Sequence, residues 1–177
     1  VWLWNGSSWL RPQPLKSPST RTDGAMVYDS LRKRWVLFGG TSSTGLQLTD
    51  TWEYDASTDS WAEMMPAVSP PARWYPTAVF DSKIGKTILF GGAFETPDSQ
   101  PMWEWNGATW TERPDLAKMP GFGGAAFAYD AKRDRIVKFG GLLAGYSDET
   151  YEYTYGDAAW VAKAPAQAKV PDVTTQG

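Results

Sequence analysis

Apolar residues come along this chain in short bursts rather than long amphipathic stretches. Ala25-Met26-Val27-Tyr28, Ala78-Val79-Phe80 and Ala126-Phe127-Ala128-Tyr129 are each followed by Asp, and Val36-Leu37-Phe38 and Ile88-Leu89-Phe90 are each followed by two glycines. Bursts of this length, bounded by turn formers, mark β-strands. An aspartate closes such a strand because its carboxylate accepts from backbone N–H groups of the turn that follows. The Val36-Leu37-Phe38 and Ile88-Leu89-Phe90 runs are apolar at every position, and since side chains alternate between faces, strands of this kind need cover on both sides. Trp2-Leu3-Trp4, Trp52-Glu53-Tyr54, Trp103-Glu104-Trp105 and Tyr151-Glu152-Tyr153 send both rings of each triplet to one face and the middle residue to the other. The pattern predicts an all-β chain of short strands and no long helix.

These runs keep a fixed step. Phe-Gly-Gly recurs at 38–40, 90–92 and 139–141, spaced by 52 and then 49 residues, and Trp9, Trp61, Trp110 and Trp160 follow at intervals of 52, 49 and 50. A period near fifty residues means one structural unit repeated. Each unit holds four strands, placed at 25–28, 35–38, 51–54 and 60–63 in the first complete copy. The chain divides into complete copies at 21–72, 73–121 and 122–164. Residues 1–20 supply only the third and fourth strands of a further unit, and 165–177 read as a flexible tail or linker. Even spacing predicts that Trp61, Trp110 and Trp160 occupy equivalent, buried positions. Glu53, Glu104 and Glu152 belong to separate units and do not form a catalytic pair. The third copy departs from the others: Phe122 stands where Arg21 and Arg73 open their copies, and Lys138 replaces Leu37 and Leu89. A lysine on an otherwise apolar strand, with Phe122, marks this copy as a terminal or atypical unit, polar on a face that has no neighbour; if buried, the lysine needs a carboxylate or carbonyl partner.

Composition sharpens the picture by what it removes. The 177 residues include no His and no Cys. That excludes a Ser/His/Asp triad, a Cys nucleophile, thiolate or imidazole zinc sites, His- or Cys-ligated haem and imidazole copper. A net charge of −3 argues against a nucleic-acid footprint. No run approaches the roughly 20 apolar residues of a membrane span. The 11 Trp fit a core held by large rings, each taking about 150–250 Å² out of water. No metal, cofactor or catalytic residue is expected.

The twin glycines after an apolar strand, the Trp52/Tyr54 pair followed by Asp55, the Trp61-type ring about six residues on, and Arg21 and Arg73 at the unit openings together resemble kelch repeats. The likeness covers residues 1–165 and is greatest to the Trp-rich kelch modules of exported bacterial proteins. It implies an all-β fold of kelch-type β-propeller blades, three full four-stranded blades plus half a blade. Propellers close with about four to eight blades. The chain is therefore expected to be part of a larger propeller or to be completed by another chain, and to be extracellular or periplasmic. Kelch relatives include a copper oxidase of galactose, whose His ligands and Cys-modified Tyr are both absent here, and a sialic-acid epimerase.

In such an arrangement alternate loops share a face. The turns between first and second strands carry Arg32, Lys33, Arg34, Lys83, Lys86, Lys132, Arg133 and Arg135, interleaved with Asp29, Asp81, Asp130 and Asp134, and read as solvated turns of mixed charge. The opposite face has longer and more varied loops, where scaffolds usually place recognition. There Arg73, Trp74, Tyr75, Phe94, Asp98, Tyr146 and Asp148 combine rings, carboxylates and a cation, a set suited to a sugar or a protein segment. The expected function is a non-catalytic interaction or adhesion module binding a protein or glycan. The alternatives are a homo-oligomeric structural subunit joined through open blade edges and a fragment of a carbohydrate-active enzyme.

Overall fold

The computed structural model describes residues 2–11, 13–73, 75–92, 101–116, 124–141 and 147–163, and every regular element among them is a β-strand. Strands β1 (Leu3–Trp4) and β2 (Trp9–Leu10) form a two-stranded sheet. The next sheet contains β3 (Arg21–Thr22), β4 (Ala25–Asp29), β5 (Arg34–Ser42), β6 (Gln47–Asp55) and β7 (Ser60–Met64), with β3 and β4 pairing along the same edge of β5. A third holds β8 (Thr77–Asp81), β9 (Lys86–Phe90), β10 (Met102–Trp105) and β11 (Trp110–Arg113). The fourth holds β12 (Ala126–Asp130), β13 (Arg135–Phe139), β14 (Thr150–Tyr153) and β15 (Val161–Lys163). All pairings are antiparallel, and no sheet closes on itself.

The registers coincide. Leu37 faces Trp52, Leu89 faces Trp103 and Lys138 faces Tyr151, so a residue's place in one repeat identifies its counterparts in the others. The strand-closing aspartates behave as their chemistry requires: the Oδ1 atoms of Asp29, Asp81 and Asp130 each accept two backbone N–H groups of the following turn. β5 and β6 run longer than the apolar pattern suggests, because their pairing resumes beyond a bulge between Phe38 and Gly40. Gly39 and Gly40 have φ of 62° and 99° there, and a Cβ on Gly40 would lie 2.5 Å from the Thr22 carbonyl oxygen. Only glycine fits.

Successive sheets share cores. Ala25, Val36 and Phe38 pack with Leu89, Trp103, Trp105 and Trp110 of the next sheet, and Val79, Ile88, Phe90 and Met102 pack with Ile136 and Tyr153 of the one after. Phe38 meets Trp110 edge-on and Phe90 meets Trp160 in the same way, which makes these tryptophans equivalent. Trp61 and Trp110 are buried, whereas Trp160 is only half-buried. Trp9 is 62% exposed, because β1 and β2 lack the neighbouring strands that cover the corresponding ring elsewhere. The repeated glutamates bind cations of their own repeats, and Glu53 also reaches the next sheet. Glu53 Oε1 accepts from Arg32 Nη1 at 2.6 Å and from Trp105 Nε1 of the next sheet at 2.7 Å. Glu104 holds Lys86 and Arg113, and Glu152 holds Arg133 and Lys163. Among the described residues no helix is long and apolar enough to cross a membrane.

Candidate functional site

Of the seven residues that the sequence brings forward as ligand contacts, Trp74, Phe94, Asp98 and Tyr146 lie outside the described residues. Asp148 is exposed just ahead of β14 and makes no contact with Arg73 among the described residues. Arg73 and Tyr75 share the segment that leads into β8. Tyr75 is 52% exposed at a φ of 51°, a left-handed conformation that a bulky residue adopts only under strain. Arg73 is 1% exposed, so it stands behind the surface rather than on it.

The reason is visible in the preceding repeat. In the first repeat a bulge between Phe38 and Gly40 takes the Gly39 carbonyl out of the ladder, in the other two the strand ends at the Phe before the glycines, and in each case the first glycine's carbonyl needs a donor. In the first repeat Arg21 supplies it: Nη1 donates to Gly39 O at 3.0 Å and Nε to Ser19 O at 3.1 Å. Arg73 repeats both contacts, Nη1 to Gly91 O at 3.0 Å and Nε to Pro71 O at 3.3 Å. The two guanidinium groups therefore lie in equivalent orientations.

Their counterions differ. Asp50 Oδ1 and Oδ2 take Arg21 Nη1 and Nη2 at 2.6 and 2.8 Å, and Oδ2 also takes Trp52 Nε1 at 2.6 Å. Burial raises the Asp50 pKa, but the hydrogen bonds from Arg21 and Trp52 outweigh it and hold the carboxyl below its usual range. In the second repeat the residue two before the Trp103 ring is Pro101, and Pro71 replaces Ser19, whose hydroxyl also accepts from Arg21 Nη2. At this corner the buried donors Arg73 Nη2 and Trp103 Nε1 have no partner among the described residues. Burial pulls the Arg73 pKa down to about 10, opposed by the charge of Glu112, so the group remains a cation at neutral pH.

The third repeat rebuilds the set with other residues. Lys138 is 3% exposed, and its Nζ donates to Gly140 O at 2.7 Å, the carbonyl equivalent to Gly39 O and Gly91 O. Glu149 occupies the Asp50 position and accepts from Tyr151 Oη at 2.8 Å, where Tyr151 stands for Trp52. Lys138 Nζ lies 5.1 Å from the Tyr151 ring centre. Burial lowers the Lys138 pKa, with Glu149 opposing. Lys138 thus serves as an internal cation for the glycine carbonyl, the carbonyl partner that a lysine buried on this strand requires. Phe122, the other departure, lies outside the described residues.

A second feature was not anticipated. β4, β8 and β12 pack next to one another, and their exposed faces line a groove of about 470 Å³ bordered by Met26, Tyr28, Trp35, Phe80, Phe127 and Tyr129. Its polar groups are those of Ser30, Ser82 and the tyrosines. The basic turns carry pairs within and between repeats, among them Arg32 with Asp29, Arg34 with Asp55, Arg133 with Asp130 and Lys83 with Asp134. Among the described residues no group of three or more carboxylates could hold a metal ion. The position shared by Asp50, Pro101 and Glu149 was missed as a site. Aligning the repeats on their aromatic triplets exposes it two residues upstream of each first ring. No family model matches the chain, and no curated protein matches it at a significant level.

Proposed function

We propose that this chain is a non-catalytic, kelch-type β-propeller interaction module of an exported bacterial protein, which binds a protein or glycan through the loop face that carries Arg73 and Tyr75. The observation that carries the reading is Tyr75, half-exposed and held in strained backbone, two residues after the buried Arg73 and two before β8. Strain of this kind persists where the surroundings enforce it and gathers at ligand contacts. Equivalent four-stranded units sharing cores with their neighbours, at a step near fifty residues, favour blades of a propeller over independent sheets. A glycan and peptide array on the whole chain tests this. Binding should weaken in Trp74→Ala, Tyr75→Ala and Phe94→Ala and survive Lys33→Gln with Lys132→Gln, which alters the opposite turns. The reverse result would move the site to the other face.

A second reading has its own observation. Trp2, Trp4, Trp9 and Leu10 of the first half-sheet are exposed, whereas Trp52, Tyr54 and Trp61 at the corresponding places are buried. Unpaired edges with apolar faces favour association, so the module also serves as a subunit that joins further blades or another copy. Light scattering across a concentration series should show the mass rise for wild type and stay flat for Trp4→Ser with Trp9→Ser.

A further inference from the structure

We infer that the second repeat contains a carboxylate-binding slot, formed by the Arg73 guanidinium and the Trp103 indole, and that it receives an aspartate or glutamate side chain from a partner polypeptide. The first repeat shows what the slot is shaped for. There a fork of two guanidinium N–H groups and one indole N–H closes on the carboxylate of Asp50 at 2.6–2.8 Å. Arg73 is held by the same two backbone contacts as Arg21, and Trp103 faces Leu89 as Trp52 faces Leu37, so the donors are carried into the same arrangement. Only the acceptors are gone, replaced by Pro101 and Pro71. Two orphaned donors at the positions that meet one carboxylate in the first repeat are a different matter from a single unsatisfied group. The charge of Glu112 supports the Arg73 cation but gives Nη2 no acceptor, and a buried donor left unpaired is costly; a planar anion accepting from the guanidinium and the indole is the ligand that relieves it.

The chemistry of the occupant follows from its counterpart. In the first repeat the carboxylate arrives on the short stem of an aspartyl side chain, which favours an acidic residue of a peptide over a carboxylate fixed to a sugar ring. Removal from water makes each charge-assisted hydrogen bond stronger. The inference rests on the interaction-module reading for the partner, but its chemistry stands on the two repeats alone.

The test is an NMR titration of the full chain that follows the Trp103 indole N–H, assigned by its loss in Trp103→Phe. The probes are N-acetyl-aspartate amide, N-acetyl-asparagine amide and glucuronate, at chloride-matched ionic strength. The aspartate probe should shift the resonance saturably and the asparagine probe should not. Pro101→Asp, which supplies a carboxylate in cis, should shift the same resonance without ligand and weaken the aspartate probe at least about tenfold, as loss of hydrogen bonds to a charged group does. The inference falls if the aspartate probe does no more than chloride or binds Pro101→Asp as tightly as wild type. A response to glucuronate alone overturns the peptide assignment. If the aspartate probe is silent while array binding still depends on Tyr75, only the slot is lost. If the probe binds while array binding ignores the loop-face variants, the slot stands and the loop-face reading is lost.

Discussion

The corners built around Arg21 and Arg73 share a backbone, a cation and an indole, and differ in what faces them. In the first, Asp50 and the Ser19 hydroxyl satisfy the guanidinium. In the second, two prolines stand in their places, and Arg73 Nη2 and Trp103 Nε1 have no partner among the described residues. The third repeat shows that the arrangement answers a demand of the fold, since it meets the glycine carbonyl with Lys138, a cation from a different strand. What the glycine turn requires is a donor for that carbonyl; the carboxylate behind the donor can be changed or lost. The second repeat retains the buried cation, opposed by the charge of Glu112, without the carboxylate that accepts its second N–H in the first.

The largest expected effect breaks the complete corner. Asp50→Ala leaves the buried Arg21 charge and the Trp52 indole unpaired and should cost about 3 kcal/mol, the lower end for removing one partner of a buried pair, since Asp50 itself is partly exposed. Urea denaturation measures this, and a negligible loss would mean that orphaned donors at Arg73 carry no message either. The converse change, Pro101→Asp, should stabilise the chain by about 1–2 kcal/mol relative to Pro101→Ala, the control for lost proline rigidity. A destabilised Pro101→Asp would show that the two corners are not equivalent. Lys138→Leu restores the residue type of the other repeats but strips the Gly140 carbonyl of its donor. It should cost about 1 kcal/mol, with Lys138→Arg closer to wild type.

The smallest effect is in acid. The folded-state pKa of Asp50 lies below its unfolded value, so its contribution is complete above the ordinary carboxylate pKa near 3.9 and is lost as pH falls through the depressed value. Stability measured from pH 5 to pH 2 should therefore fall less steeply in Asp50→Asn than in wild type. Equal slopes would remove the pairing with Arg21 as a source of acid sensitivity.

The sequence by itself determined the all-β class, the number of complete repeats and the register of their landmarks. Each of these follows from local chemistry repeated at a constant step: apolar runs bounded by Asp or Gly-Gly, and rings two residues apart on one face. The turn role of Asp29, Asp81 and Asp130 was legible for the same reason, since their acceptors act within three residues. The burial of Arg73 and Lys138 was not legible. Both are polar residues whose place depends on a glycine carbonyl that needs a donor and on whatever stands two residues before the first ring of another strand. Pairings of that kind join residues far apart along the chain, as Arg21 and Asp50 are, and only the antiparallel register brings them together. The tertiary structure likewise decided that Glu53 binds an indole of the neighbouring sheet, and that Trp9 stays in water while Trp61 is 6% exposed. A ring is buried by the strands beside it, and those belong to the packing of sheets rather than to the residue's own neighbourhood in sequence.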